Sequence, residues 1–144
     1  MALESQGVTI YWSTTTAAST AAADKVGEVV SFSGPGGNAA VIDVTHLGST
    51  AKEKMMGLPD EGQLTLECNL APTDTGQIGL RTARSARAKK KAVIVLTDST
   101  SAPTKLVFDA YCLNFSVNGS VDNKINASIG LEIAGPCTWT TGAI

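Results

Sequence analysis

Aromatic side chains are scarce in this chain: three Phe, two Tyr and two Trp make up only 5 % of 144 residues. They are also scattered, so the sequence builds no aromatic platform for a sugar or for stacked bases. Histidine occurs once, at position 46, and the three cysteines (Cys68, Cys112, Cys137) are odd in number, far apart and without a C-x-x-C spacing. That pattern disfavours a disulfide framework and a zinc site, and it makes buried free thiols the expectation. With no dense Asp/Glu motif either, neither a metal nor a cofactor is expected. No apolar run approaches the about 18 residues of a membrane span. The opening Met-Ala-Leu-Glu-Ser-Gln-Gly has no basic stretch or apolar core of a secretory leader. The expectation is therefore no membrane anchoring and synthesis in a reducing cytoplasm. An excess of positive charge is missing too. Eleven Lys and Arg stand against 13 Asp and Glu, giving a net charge of −2, so no global field recruits nucleic acid.

Catalytic constellations are equally thin. A hydrolase needs a nucleophile, a base and an orienting group, and there is no Gly-x-Ser-x-Gly elbow. His46 has the chemistry of a general base, but it sits at the root of a loop, where histidine more often bonds backbone groups. Glu53, Asp60 and Glu61 are close in sequence, yet they share a lysine-containing loop with no evident pocket to tune them. An enzyme is not expected.

What is present is a 43 % hydrophobic, 17 % charged chain of a length that suits one domain, residues 1–144. Residues 7–12 read as a short strand within an N-terminal arm (residues 1–25), and residues 13–23 are a Ser/Thr/Ala run without period. Residues 26–32 read as a strand that stops at Ser33-Gly-Pro-Gly-Gly-Asn38, and residues 39–44 as another. The glycine loop is not followed by a capped helix or a Gly-Lys-Ser/Thr signature, which argues against a phosphate cradle. Residues 63–70 alternate cleanly, with Leu64, Leu66, Cys68 and Leu70 on one face. The period then changes. Asp74 is placed to cap a helix running from about Asp74 to Ala88, with Gln77 as its capping-box partner and Ile78, Leu80, Ala83 and Ala86 as an apolar stripe. Arg81, Arg84 and Arg87 recur every third residue along it, and three lysines follow. That basic face suits an acidic partner or phosphates, or is a solvated face complementing the helix dipole.

The second half is β again: a short apolar run at 92–97, a long strand at 105–117 and another at 124–133 after the turn Asn118-Gly119-Ser120. In the long strand Val107, Tyr111, Leu113, Phe115 and Val117 share a face with Asp109, opposite Phe108, Ala110 and Cys112. In the next, Ile125, Ala127, Ile129, Leu131 and Ile133 oppose a small polar face of Lys124, Asn126, Ser128, Gly130 and Glu132. Such a face meets bulk water or lines an aqueous space. Residues 137–144 read as an edge strand anchored by Trp139. The sum is a mainly β (α+β) domain, a β-sandwich or open barrel of about six to seven mostly antiparallel strands with one flanking α-helix and unpaired edges.

One stretch is too long for its place. Residues 43–62 connect two strands, where about two to five residues are usual. Thr45, Ser49, Lys52, Glu53, Lys54, Asp60 and Glu61 keep it wet, while Met55, Met56, Leu58 and Pro59 form an apolar knot near its tip. A mobile adhesive arm fits that composition.

The order strand, Ser33-Gly-Pro-Gly-Gly-Asn38, strand, then Thr45-His-Leu-Gly-Ser-Thr-Ala-Lys-Glu-Lys-Met-Met-Gly-Leu-Pro-Asp-Glu-Gly62 and a strand ending in Leu66-Glu67 resembles the major tail (tail tube) protein of long flexible-tailed bacteriophages. That family shares its fold with contractile-tail tubes and with the ring protein of type VI secretion. The resemblance covers residues 26–139. It implies a non-enzymatic virion protein whose partner is itself: hexameric rings stack into a hollow tail tube through which DNA passes in transit at ejection. Tail-terminator, tape-measure and tail-tip proteins are the further partners it implies. Residues 45–61 would be the stacking loop, with Thr45, His46, Lys52, Glu53, Lys54, Met55, Met56, Leu58 and Asp60 at the interface. The lumen would be faced by Asn126, Ser128 and Glu132, and the basic helix (Arg81, Arg84, Arg87) would point elsewhere. The alternatives are a type VI-like secretion tube subunit and a non-viral β-sandwich binding module.

Overall fold

The computed structural model describes residues 6–13, 17–99 and 101–142. Among them the chain forms nine strands, one α-helix and a 3-10 turn at Ala22–Asp24. The strands are β1 (Thr9–Trp12), β2 (Val29–Ser33), β3 (Asn38–Asp43), β4 (Lys54–Asp60) and β5 (Gln63–Asn69), then, after α1 (Thr75–Ala86), β6 (Lys89–Val95), β7 (Thr104–Asn118), β8 (Asn126–Ile133) and β9 (Thr138–Thr141). The class is the expected mainly β one, with more strands than the sequence suggested.

Seven strands share one antiparallel sheet in the order β1-β6-β7-β8-β5-β2, with β9 also pairing β7. The sheet curls so that one face is dry. Ile10 and Trp12 meet Ile94, Phe108, Leu66, Leu131 and Ile129 in a single core. Period 2 explains this locally: along β8 buried Ala127, Ile129, Leu131 and Ile133 alternate with half-exposed residues, and along β5 Leu64, Leu66 and Cys68 do the same. One stretch joins the two ends of the sheet. Lys25 bridges Tyr11 of β1, Val26 donates its N–H to the Ile10 carbonyl at 2.8 Å, and the same chain continues as β2 against β5. The sheet thereby closes toward a barrel. Thus β1, expected within an N-terminal arm, is a wall strand, because its alternate residues Ile10 and Trp12 are needed in the core.

The face expected for β7 holds only in part. Leu106, Phe108, Ala110 and Cys112 are buried, but a bulge between Cys112 and Asn114 inserts one residue and swaps the faces. Beyond it Phe115 and Val117 lie opposite Ile129 and Ala127, on the core side, and Leu113 is left exposed at the bulge. The Arg84 Nε–H bonds the Leu113 carbonyl at 3.2 Å, so a helix side chain satisfies part of that free edge.

Helix α1 starts as expected: the Asp74 carboxylate accepts the Gln77 N–H at 3.0 Å. The same oxygen accepts the Gly27 N–H, tying the helix start to the segment before β2. Gln77 does not close a capping box. Its side chain is fully buried, accepting from the Ala71 N–H and donating to the Gly27 and Asn69 carbonyls. This triple tie turns the buried stripe to Gly76, Gln77, Leu80 and Ala83, leaving Ile78 and Ala86 outside. The helix ends at Ala86 rather than Ala88 because Arg87 takes a left-handed cap, φ 54°. Lys89, Lys90 and Lys91 belong to β6 instead of the helix end, and Lys91 pairs with Asp109 of β7 at 3.4 Å. Trp139 in β9 pairs with Leu106 of β7 and lines a shallow pocket with Phe32, Pro35 and Ile94, yet it stays 65 % exposed.

The largest departure is the long loop. Residues 54–60 form β4, which pairs antiparallel with β3 as a separate two-stranded sheet, leaving a connection of only residues 44–53. The apolar knot is therefore strand, and the tip beyond it is polar apart from Val44, Leu47 and Ala51.

Candidate assembly surfaces

Two surfaces stand out once the core is accounted for. The first is the β3–β4 arm. Each of its strands packs on the other and on little else. Its root is built by glycine: a Cβ on Gly37 would overlap the Asp60 carbonyl oxygen, and one on Gly62 (φ 78°) would overlap that of Gly36. The Ser-Gly-Pro-Gly-Gly-Asn run thus serves close backbone approach at the arm's base. At the tip, polar groups satisfy one another. The Glu53 N–H donates to the Thr45 hydroxyl at 2.8 Å, the Gly48 N–H to His46 Nδ1 at 3.1 Å, and His46 Nε2 lies 3.6 Å from the Glu53 carboxylate. His46 is tied into the loop on both sides: its own N–H donates to the Ser49 hydroxyl at 3.2 Å, and its carbonyl accepts the Ser49 N–H at 2.9 Å. The Thr45 hydroxyl, and then its backbone N–H, hold the Asp43 carboxyl below its ordinary value.

Register pairs Val41 with Met56 and Ile42 with Met55. Successive residues of a strand point to opposite sides, so one pair lies on each face of the arm. Val41 and Met56 are 69 % and 72 % exposed, Ile42 and Met55 46 % and 50 %, and Leu58 93 %. Among the expected interface residues, Thr45, His46 and Glu53 form the tip, Lys54 opposes Asp43, Met55, Met56 and Leu58 ride on β4, and Asp60 sits at the root, where its carboxylate accepts the Gly62 N–H. Lys52 is exposed in the tip.

The second surface is the outer face of β2-β5-β8-β7. Register places Tyr111, Glu132 and Gln63 in one row, Asn114, Gly130, Thr65 and Ser33 in the next, then Ser116, Ser128, Glu67 and Ser31, and finally Asn118, Asn126 and Asn69. Asn126, Ser128 and Glu132 thus share the outer face of β8 with residues of three neighbouring strands. Thr65, Glu67, Asn114 and Ser116 were missed, although the polar alternation of β5 signalled two of them. The Ser128 hydroxyl donates to Glu67 at 2.9 Å, and the Asn114 amide lies so close over Gly130 that a Cβ there would strike it. Neither Lys nor Arg appears in any of these rows.

The helix arginines lie on the other side of that wall. Arg81 stacks 5.9 Å from the Phe115 ring centroid and donates to the Pro72 carbonyl, and Arg84 holds the β7 edge. Phe115 faces the core side, so the two cations sit across the sheet from Asn114 and Ser116. Arg87 caps the helix through its backbone, and the residue is exposed. The three thiols lie apart, each pushed up to about 11, chiefly by burial. Among the described residues no group of His, Cys, Asp and Glu is arranged to hold a metal, and no helix is long and apolar enough to cross a membrane.

Comparison with solved structures finds this fold in tubes. The SPP1 tail tube superposes with a TM-score of 0.68 at 12 % identity, covering 99 % of this chain and 80 % of that one. The tail of an empty gene transfer agent particle, refined with helical C6 symmetry, gives 0.69 at 14 % identity over 96 % and 99 %. The sheath/tube terminator of an extracellular contractile injection system, PVC, gives 0.71 at 15 % identity over 97 % of each chain. In sequence, Structural protein 3 of Pseudomonas phage PAJU2 is 27 % identical over 76 % of this chain and 77 % of its own. The family model for the lambda-like phage tail tube protein matches residues 1–143, and the chain belongs to that family.

Proposed function

We propose that this structural subunit of the phage tail closes into six-membered rings that stack into a hollow tube, with the polar face of β2-β5-β8-β7 as the lumen wall and DNA in transit along it. The single observation that carries the reading is that these four strands present small polar groups, Tyr111 and the carboxylates of Glu67 and Glu132 but no Lys or Arg, the first cation being Lys89 opposite Tyr111 in the next strand, β6. Phosphates held by Lys or Arg must displace counterions and stay bound, whereas a neutral to acidic wall lets a polyanion slide. The position of Arg81 and Arg84 across the sheet supports the same orientation. The C6 symmetry of the gene transfer agent tail supports the ring number. In this reading the β3–β4 arm reaches the neighbouring ring. The last ring at either end leaves its stacking surfaces uncovered, and there terminator, tape-measure and tip proteins would bind.

Ser128→Cys in a Cys137→Ser background tests the lumen. The thiol should react in assembled tubes with a small maleimide but not with a maleimide carried on a folded protein too large for the bore, and with both in the monomer. Labelling of tubes by both reagents, or by neither, overturns the assignment.

A further inference from the structure

We infer that the β3–β4 arm is clasped on both faces, by two different copies of this chain at once, so that stacking one ring on another also binds together two subunits of the ring it enters. The inference rests on the tube reading above and specifies what the arm grips.

The starting point is that the arm has two apolar faces and, among the described residues, little packed against them. Val41 and Met56 lie on one side, Ile42 and Met55 on the other, and all four are about half exposed or more. An arm that lay flat on a single neighbour would keep one face wet, and water-facing positions of such a hairpin are ordinarily polar, giving strict alternation. Here no such alternation exists. Ala39, Val41, Met56 and Pro59 face one way and Ala40, Ile42, Met55 and Gly57 the other. A two-stranded hairpin is also marginal in water without packing on at least one face.

The arm's polar groups point the same way. At the tip they bond to one another through Thr45, His46, Ser49 and Glu53, and at the root the backbone is locked by Gly36, Gly37 and Gly62. What remains to be satisfied by a partner is the apolar surface of the strands and the outer backbone edge of each. The occupant is the same chain because the family builds tubes, and in a tube of one protein the surfaces beside an arm belong to further copies. The two faces differ in sequence, so the two contacts are unlike each other. That is the heterologous geometry that closes rings and extends filaments.

The seam between two adjacent subunits of a ring puts a different copy on each side of a thin ribbon. An arm wedged there makes stacking and ring closure depend on each other, so free rings should be scarce relative to monomers and tubes.

Two double variants test this, Val41→Ser with Met56→Ser for one face and Ile42→Ser with Met55→Ser for the other. Circular dichroism and melting confirm that the barrel stays folded in each, and negative-stain microscopy with sedimentation velocity reads assembly. Both variants should remain monomeric at concentrations where the unaltered chain forms tubes, with at least a tenfold rise in the concentration needed. If either variant forms tubes as readily as the unaltered chain, the arm docks by one face and the inference is overturned. Accumulation of stable isolated rings by either variant overturns the coupling as well. If the unaltered chain forms neither rings nor tubes, the tube reading itself fails, which is a distinct outcome.

Discussion

The barrel and the arm follow opposite rules of burial within one chain. In the barrel, every second residue of β5 and β8 is dry and its neighbours are wet, so a strand needs nothing beyond the curled sheet and the helix that covers it. In the arm, both sides of β3 and β4 are apolar and exposed, and among the described residues the strands lean on little but each other. Stability therefore resides in the first region and assembly in the second. A sequence change can strike one and spare the other.

The largest effect that separates them is a cavity in the core. Leu66→Ala removes a fully buried side chain and should cost about 2–5 kcal/mol, read as a fall in denaturation midpoint, with tubes lost only because the subunit unfolds. Next comes the helix cap. Asp74→Ala deprives both Gln77 and Gly27 of an acceptor and should cost about 0.5–2 kcal/mol of barrel stability by chemical denaturation, leaving the tip of the arm unchanged. Met56→Ser should move the barrel's stability by no more than about 0.5 kcal/mol, since the residue is exposed, while raising the protein concentration at which tubes appear. A large loss of melting temperature in that variant would erase the distinction between the two regions.

The smallest effect is electrostatic and confined to the tip. Asp43 is held below its ordinary value by Thr45, so the folded value is the lower one. Its contribution is complete above the unfolded-chain value and is lost as pH falls through the folded value. In NMR titration the Thr45 amide should shift only below the usual carboxylate range. A Thr45 shift centred above that range would contradict the bond.

Much of the barrel was legible because period 2 and capping chemistry are local. Leu64, Leu66 and Cys68, the alternation of β8, and Asp74 before the helix declared themselves by position alone. Strand β4 did not. Met-Met-Gly-Leu-Pro carries glycine and proline and no alternation, all signals against a strand, and its exposed edge is what makes Pro59 tolerable. The bulge at Leu113 was invisible for a related reason: a single inserted residue inverts the pattern without altering composition. The polar wall was half legible, since Asn126, Ser128 and Glu132 show in one strand, but Asn114, Ser116 and Glu67 join them only through cross-strand register. Gln77 has the correct spacing for a capping box, and only the tertiary positions of Gly27 and Asn69 decide that it bonds elsewhere.

Hydrogen exchange of the same chain as monomer and as assembled tube compares the two regions in one experiment. Amides of residues 39–59 should exchange quickly in the monomer and become strongly protected in the tube, whereas those of β5 and β8 should be slow in both. Arm amides that exchange as fast in the tube as in the monomer would contradict the claim that other copies complete what this chain leaves open.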